Sequence, residues 1–315
     1  MINFRYHVVS LAAVFIALAI GLVVGTAAFN GPAADALDDQ VAQMRNDNNK
    51  LRDEVNHLTD EAQQEERFAT EALPGLIGNR LAGKRILVVT TTDADKDYID
   101  GVTDALETVA GAKITGRLAI QKKFVDPANK EELLDLVASI TPPGVTGLPT
   151  NSNGVETSAA LLAATLMDHD PPVDSLDRRK VISAYKEPLY LVTSPEVTGP
   201  AEAIVVLAGA PYTEKDADKL NGALKTFVEQ FDKAAPIVVG AESTAGAGNL
   251  VSTVRNDSDL SRPVSTVDNA GSPQGRAAVL LALAEQIEGK SGHYGVASGS
   301  TSLLPKTAAG ARNGS

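Results

Sequence analysis

The chain has 315 residues, with 40 Asp and Glu against 28 Lys and Arg, a formal net charge of −12 at pH 7, and no cysteine. The lack of cysteine excludes disulfide bonds and thiol chemistry, so the core alone must hold any outward-facing domain together. The acidic balance gives no basic surface for nucleic acid, and no nucleic-acid partner is expected.

The first element is an apolar segment, residues 8–29, that carries no charged side chain. At about 1.5 Å per residue it reaches roughly 33 Å, enough to cross a hydrocarbon core of about 30 Å. Arg5 precedes the segment and Asp35 is the first charge after it, so the positive-inside rule places residues 1–7 in the cytoplasm. The rest of the chain then lies in the periplasm or envelope space. Cleavage after the small residues 26–28 stays an open alternative.

Small residues recur at every fourth position of this segment: Ala13, Ala17, Gly21 and Gly25. Gly21 and Gly25 form a G-x-x-x-G pair, which lets two helix backbones approach closely in lipid. Gly and Ala are also common in membrane helices generally. Together with the segment that follows, the pair favours dimerisation.

Residues 33–73 have a hydrophobic period of 3.5, which predicts a left-handed coiled coil. The predicted seam consists of Val41, Met44, Asn48, Leu51, Val55 and Leu58. β-branched residues at a positions with Leu or Met at d positions are typical of parallel dimers, and Asn48 would be the buried polar residue that fixes the register. The predicted partner is therefore a second copy of the chain.

The distal part of this segment is acidic and less suited to self-association. Glu65 falls at a d position, and Glu61 at g faces Glu66 at e of the other chain. Eleven acidic and four basic residues between positions 33 and 72 give a net charge of −7. A solvated helix face explains most such charge runs. The specific alternative is that Glu61, Glu65 and Glu66 form a surface for an envelope or cell-division protein.

From residue 75 to 294 the pattern changes to alternating strands and helices, after Pro74 and Gly75, which are expected to end the preceding helix. Strands are expected at residues 85–91, 113–120, 189–193, 202–207, 236–240 and 264–267, and helices at 98–109, 131–140, 156–167, 175–185, 214–234 and 274–288. Apolar strands that alternate with helices predict an α/β fold, a Rossmann-like doubly wound domain with a mostly parallel sheet. Residues 295–315 are expected to be disordered.

Three loop motifs in this domain are candidates for chemistry. The loop at residues 90–93 lacks the glycines of a dinucleotide-binding turn, and residues 240–248 are glycine-rich but have no Lys at P-loop spacing. Asp93, Asp95 and Asp97 could form a carboxylate site, but carboxylates at the start of a helix more often cap it. The sequence therefore predicts no enzyme activity and no cofactor.

Potential copper ligands are scattered. The histidines and methionines are His7, His57, His169, His293, Met1, Met44 and Met167. Cu(I) sites use clustered Cys or Met, and Cu(II) sites use several imidazoles, whereas only Met167 and His169 are close together in this sequence. No dedicated metal site is predicted.

Four segments, together with the predicted coiled coil, resemble the actinobacterial copper transport protein B (MctB-like) family. They are residues 4–25 (FRYHVVSLAAVFIALAIGLVVG), 265–271 (STVDNAG), 275–284 (GRAAVLLALA) and 292–295 (GHYG). The resemblance covers the chain to about Pro305. It implies an envelope protein of copper homeostasis, described for some members as an outer-membrane pore. Some relatives are implicated instead in daughter-cell separation, as membrane partners of peptidoglycan-hydrolase regulation.

The pore interpretation conflicts with the predicted elements. One uncharged helix and a parallel α/β domain supply neither a closed barrel nor a helical channel, the two ways to span a bilayer with satisfied backbone groups. We therefore expect a non-enzymatic, dimeric scaffold anchored in the cytoplasmic membrane, with copper homeostasis implied by the resemblance. The alternative is a membrane regulator of peptidoglycan hydrolases.

Overall fold

The computed structural model describes residues 4–29, 32–242 and 248–306, and side chains at 6–26, 35–242 and 248–306. By internal contacts the chain divides into two units, Met1–Glu65 and Glu66–Ser315. Helix α1 spans Phe4–Phe29, and within it Tyr6–Thr26 is long and apolar enough to cross a membrane. This confirms the predicted N-terminal apolar helix.

Helix α2 runs without interruption over Pro32–Ile77. The prediction that it stops at Pro74 is wrong by one turn. Proline inside a helix removes one backbone hydrogen bond and costs about 3 kcal/mol. Leu73 and Ile77 are almost fully buried in the core of the second unit, so the last turn gains apolar burial that offsets this cost.

The second unit is built on a mixed seven-stranded sheet with the order β3-β2-β1-β4-β5-β6-β7. The strands are β1 Arg85–Thr90, β2 Lys113–Ile120, β3 Leu191–Thr193, β4 Ala203–Ala208, β5 Ile237–Ala241, β6 Ser265–Val267 and β7 His293–Tyr294. The helices are α3 Lys96–Asp104 with a π-helical turn Ala105–Val109, α4 Lys122–Val125, α5 Lys130–Ile140, α6 Gly154–Leu166, α7 Ser175–Lys186, α8 Ala217–Asp232, α9 Leu250–Asn256 and α10 Pro273–Ile287.

The helices cover both faces of this sheet, as expected for apolar strands joined by helical crossovers. Leu87 and Val89 of β1 face the core formed with α4 to α9, whereas Ile86 and Val88 face the core formed with α3, α10 and the end of α2. All strand pairs are parallel except β2 with β3. The predicted α/β fold with a mostly parallel sheet is confirmed.

Several features differ from the sequence prediction, among them the four-residue helix α4, which was not predicted. The edge strand β3 is antiparallel, and the two-residue strand β7 was not predicted. Helix α9 was also missed, because it has only seven residues and begins at an Asn249 cap directly after a glycine-rich stretch.

Candidate functional site

The predicted coiled-coil seam is an exposed apolar stripe on α2. The exposed fractions are 43% for Val41, 67% for Met44, 60% for Leu51, 61% for Val55 and 56% for Leu58. Asn48 is also exposed. Large apolar side chains at helical spacing without cover in the single chain mark a surface that favours association. The structure places these six residues on one continuous helix and leaves their pairing as a prediction.

The predicted dimerisation glycines of α1 lie on an open helix surface. A Cβ atom added at Gly21 or Gly25 would meet nothing within 4 Å in the single chain. The surface is therefore free for close helix packing in lipid, which is the geometry that a G-x-x-x-G pair permits.

The predicted partner residues Glu61, Glu65 and Glu66 are exposed on α2. The Glu61 carboxylate oxygen Oε1 lies 3.6 Å from Nδ1 of His57, which precedes Glu61 by one helical turn. Sequence reasoning overlooked Phe68, whose side chain is 75% exposed. Its g position in the heptad could have revealed it, since a large apolar residue there lies outside the a and d seam.

Two loops pack against each other at the usual ligand crevice of such a sheet. Parallel α/β sheets bind ligands beyond the carboxyl ends of the strands where the connections diverge, here between β1 and β4. A Cβ atom at Gly209, after β4, would lie 2.4 Å from Ala94 N and 2.5 Å from Asp93 C. The Gly209 amide also donates a 2.8 Å hydrogen bond to Thr91 Oγ1. The two loops therefore pack backbone to backbone at this point.

The aspartates after β1 have a structural role at Asp95. Its carboxylate accepts hydrogen bonds from the backbone amides of Asp97 (2.8 Å) and Tyr98 (3.2 Å) and so caps α3. This agrees with the expected capping interpretation. In the glycine-rich loop, residues 243–247 lie outside the described part of the chain, so the expectation that this loop is no phosphate cradle is not tested.

The two histidines of the α/β unit, His169 and His293, already have hydrogen-bond partners. His293 Nδ1 lies 2.9 Å from Thr266 Oγ1. Burial, and then the nearby Arg255 guanidinium, lowers the pKa of His293, and a hydrogen bond to the Ser261 backbone opposes the shift. His169 Nδ1 lies 2.8 Å from the Pro171 carbonyl oxygen. Within the described ranges, no group of three His, Asp or Glu side chains is placed to hold a metal ion.

A buried ion pair between Arg255 and Asp268 contacts the segment from His293 to Gly295 and accounts for its path along the sheet edge. Arg255 Nη1 contacts Asp268 Oδ2 at 2.8 Å, and their side chains are 4% and 0% exposed. Asp268 Oδ1 accepts hydrogen bonds from the amides of Val296 (2.7 Å) and Ala297 (3.1 Å). A Cβ at Gly295 would lie 2.2 Å from Asp268 Oδ1. The glycine therefore lets the C-terminal segment pass directly over the buried carboxylate.

This network corrects the prediction of disorder from residue 295 onward. Residues 295–306 are held against the sheet edge, with Tyr294 bridged to Ser302 and Pro305 buried. The part of the predicted tail from residue 307 onward lies outside the described residues. The sequence signal was available in Asp268 and Gly295, but their contact joins positions far apart in the chain.

Comparison with known proteins extends over nearly the whole chain. The family model described as "Copper transport outer membrane protein, MctB" matches residues 1–305. Copper transporter MctB of Mycobacterium tuberculosis (strain ATCC 25618 / H37Rv) is 28% identical over 312 residues, covering 96% of this chain and 99% of the relative. Copper transporter MctB of Mycobacterium leprae (strain TN) is 27% identical over 315 residues, with coverage of 96% and 99%. The chain therefore belongs to the MctB copper transport family.

Proposed function

We propose that this protein is a parallel dimeric scaffold in the cell envelope that serves copper homeostasis without enzymatic activity. The apolar helix α1 anchors it in the cytoplasmic membrane with the N-terminus inside, and α2 holds the α/β unit on the outer side. The observation that carries the proposal is the continuous α2 with its exposed apolar seam. Copper homeostasis comes from the names of the relatives.

The seam is of the right strength for association assisted by the membrane. Fully burying a Val, Leu or Met side chain contributes about 1.5–3 kcal/mol, so burying the exposed half of five side chains in each of two chains contributes roughly 8–15 kcal/mol. Association costs about 4–15 kcal/mol in lost freedom of motion. The two figures are close, so confining both copies through α1 lowers the cost and favours the dimer.

The acidic distal part of α2 is the proposed partner surface. Glu65 at a seam position and the like charges of Glu61 and Glu66 weaken pairing there, which leaves the helix available to a basic envelope protein. The matched model and relatives are named for copper transport, so they lend no support to the cell-separation alternative.

The dimer is tested with the full chain in detergent by light scattering after gel filtration. Replacing Leu51 and Leu58 together by Asn is expected to give monomers with an unchanged unfolding midpoint of the α/β unit, because only seam packing is lost. The matched control replaces Asn49 and Asn56 by Ser at outward heptad positions and should stay dimeric. A monomeric unmodified chain would contradict the proposal.

The partner surface is tested with Glu65→Leu combined with Glu66→Lys. The dimer should become more stable, because an apolar d residue replaces a carboxylate that pairing would bury and a repulsive contact is removed. Crosslinking to envelope proteins should decrease. If crosslinking is unchanged by these substitutions but lost on replacing Asp93 or Asn269, the partner binds the α/β unit instead.

A further inference from the structure

Among the described residues, the sheet face that carries α3 and α10 is left open over the end of β2 and over β3. Strand register places Arg117 beside Val88, and Ala119 beside both Thr90 and Val192. Val88 lies in the core covered by α3 and α10, so Arg117, Ala119 and Val192 point to the same side. Val192 is nevertheless 42% exposed. This half of the face is open beside α3.

A cavity of about 350 Å³ lies in this opening, between α3 and the two strands. Its apolar part is formed by Ile99, Ala119 and Val192, and its charged part by Lys96, Asp100 and Arg117. The cavity lies near the carboxyl ends of β1 and β2, the edge at which parallel α/β sheets usually bind ligands.

The charged part of the cavity contains two cations and one anion. Asp100 Oδ2 contacts Lys96 Nζ at 2.5 Å, and Asp100 Oδ1 contacts Arg117 Nη1 at 2.5 Å. Hydrogen bonds from Lys96 and then Arg117 lower the pKa of Asp100, so it is ionised at neutral pH. Asp97, on the first turn of α3, also attracts the Lys96 ammonium. The Asp95 carboxylate caps the helix by accepting a hydrogen bond from the Asp97 amide.

Arg117 has unused hydrogen-bonding capacity beside the cavity. Its Nη1 is bound to Asp100, whereas its Nε is buried and has no acceptor. A buried donor without an acceptor is unfavourable, and the Nε side of a guanidinium is suited to a carboxylate through two parallel hydrogen bonds. Because Nε is buried, a ligand carboxylate reaches it only when the guanidinium turns toward the cavity; it then supplies the missing acceptor and brings the lining charges to balance.

We propose that this cavity binds a carboxylate joined to a short branched aliphatic group. The carboxylate pairs with Arg117 and Lys96, and the aliphatic group lies on Ile99, Ala119 and Val192. The free C-terminus of a peptide and a small branched acid share this chemistry. The site is independent of dimerisation and does not rest on the scaffold function.

The experiment uses the full chain in lipid nanodiscs, with N-acetyl-leucine as the probe in ligand-observed NMR and calorimetry. We expect N-acetyl-leucine to bind. N-acetyl-leucinamide should bind more weakly by a factor of about ten or greater, because the amide lacks the negative charge. Acetyl-glycyl-leucine and isovalerate then separate a peptide C-terminus from a small acid, according to which binds more tightly.

Two variants locate the site. Arg117→Gln should weaken binding of N-acetyl-leucine about tenfold or more, and Val192→Phe, which fills the cavity and keeps the charges, should also abolish it. Lys113→Gln on the same strand is the matched control and should bind normally, and thermal unfolding verifies that each variant is folded. The proposal is overturned if acid and amide bind alike, if neither binds at millimolar concentration, or if Val192→Phe binds as tightly as the unmodified chain.

Discussion

Replacing Asp268 by Ala is expected to destabilise the α/β unit by about 3–5 kcal/mol, the usual cost of removing one partner of a buried ion pair. The substitution leaves the Arg255 guanidinium buried without its counter-charge, at a side chain only 4% exposed. It also leaves the amides of Val296 and Ala297 without their acceptor. At about 2–4 °C per kcal/mol for a unit of this size, the melting temperature should fall by about 6–20 °C.

Urea unfolding of the full chain measures this loss, and hydrogen exchange at Val296 and Ala297 reports whether the C-terminal segment is released. Asp268→Asn keeps an oxygen acceptor without the charge and should fall between Ala and the unmodified chain. The control is Asp216→Ala, which removes an exposed pair with Lys219 and should change stability by less than about 0.5 kcal/mol. A loss below about 1 kcal/mol for Asp268→Ala, with unchanged exchange, would refute the structural role of this ion pair.

Three further predictions concern packing, pH and copper. Gly209→Ala should cost about 1–3 kcal/mol in urea unfolding, because its Cβ would overlap the backbone of the loop after β1, whereas Gly199→Ala, with open space around it, should be nearly neutral. Because the pKa of His293 is lowered in the folded protein, the unfolded chain binds more protons near the ordinary histidine pKa. The free energy of unfolding should therefore fall as the pH is lowered from about 7.5 to 5.5, and it should fall less in His293→Gln. An equal fall in both proteins would contradict this assignment. Calorimetry with Cu(I) and Cu(II) should show no tight one-to-one site, and a submicromolar site lost on replacing His169 or His293 would revive direct copper binding.

The main elements could be predicted because their signals are local. An uncharged apolar run and alternating apolar strands and helices depend on residues near each other in sequence, and β2 was predicted with the bounds that the structure gives. The end of α2 was mispredicted because the burial of Leu73 and Ile77 against distant elements outweighs the local effect of Pro74. Tertiary packing decides such cases.

The site features that were missed depend on contacts between distant residues. The sequence gives the positions of Gly209 and Gly295 but not their neighbours. Only the fold shows that Gly209 lies against the loop after β1 and that Gly295 lies against Asp268. The cavity beside Arg117 arises because all helices between β2 and β3 pack on the other face of the sheet. No local pattern specifies which face a crossover takes.

The parallel coiled coil is tested most directly by single-cysteine crosslinking in membranes, since the chain has no cysteine of its own. Cysteine placed singly along α2 at positions 48 to 58 should form disulfide-linked dimers at Asn48, Leu51, Val55 and Leu58. It should form few at outward positions such as Asp53, because only in-register seam residues face their own copies. Crosslinking that follows this 3.5-residue period is the predicted result. Equal crosslinking at all positions, or none at the four seam positions, would contradict a parallel dimer.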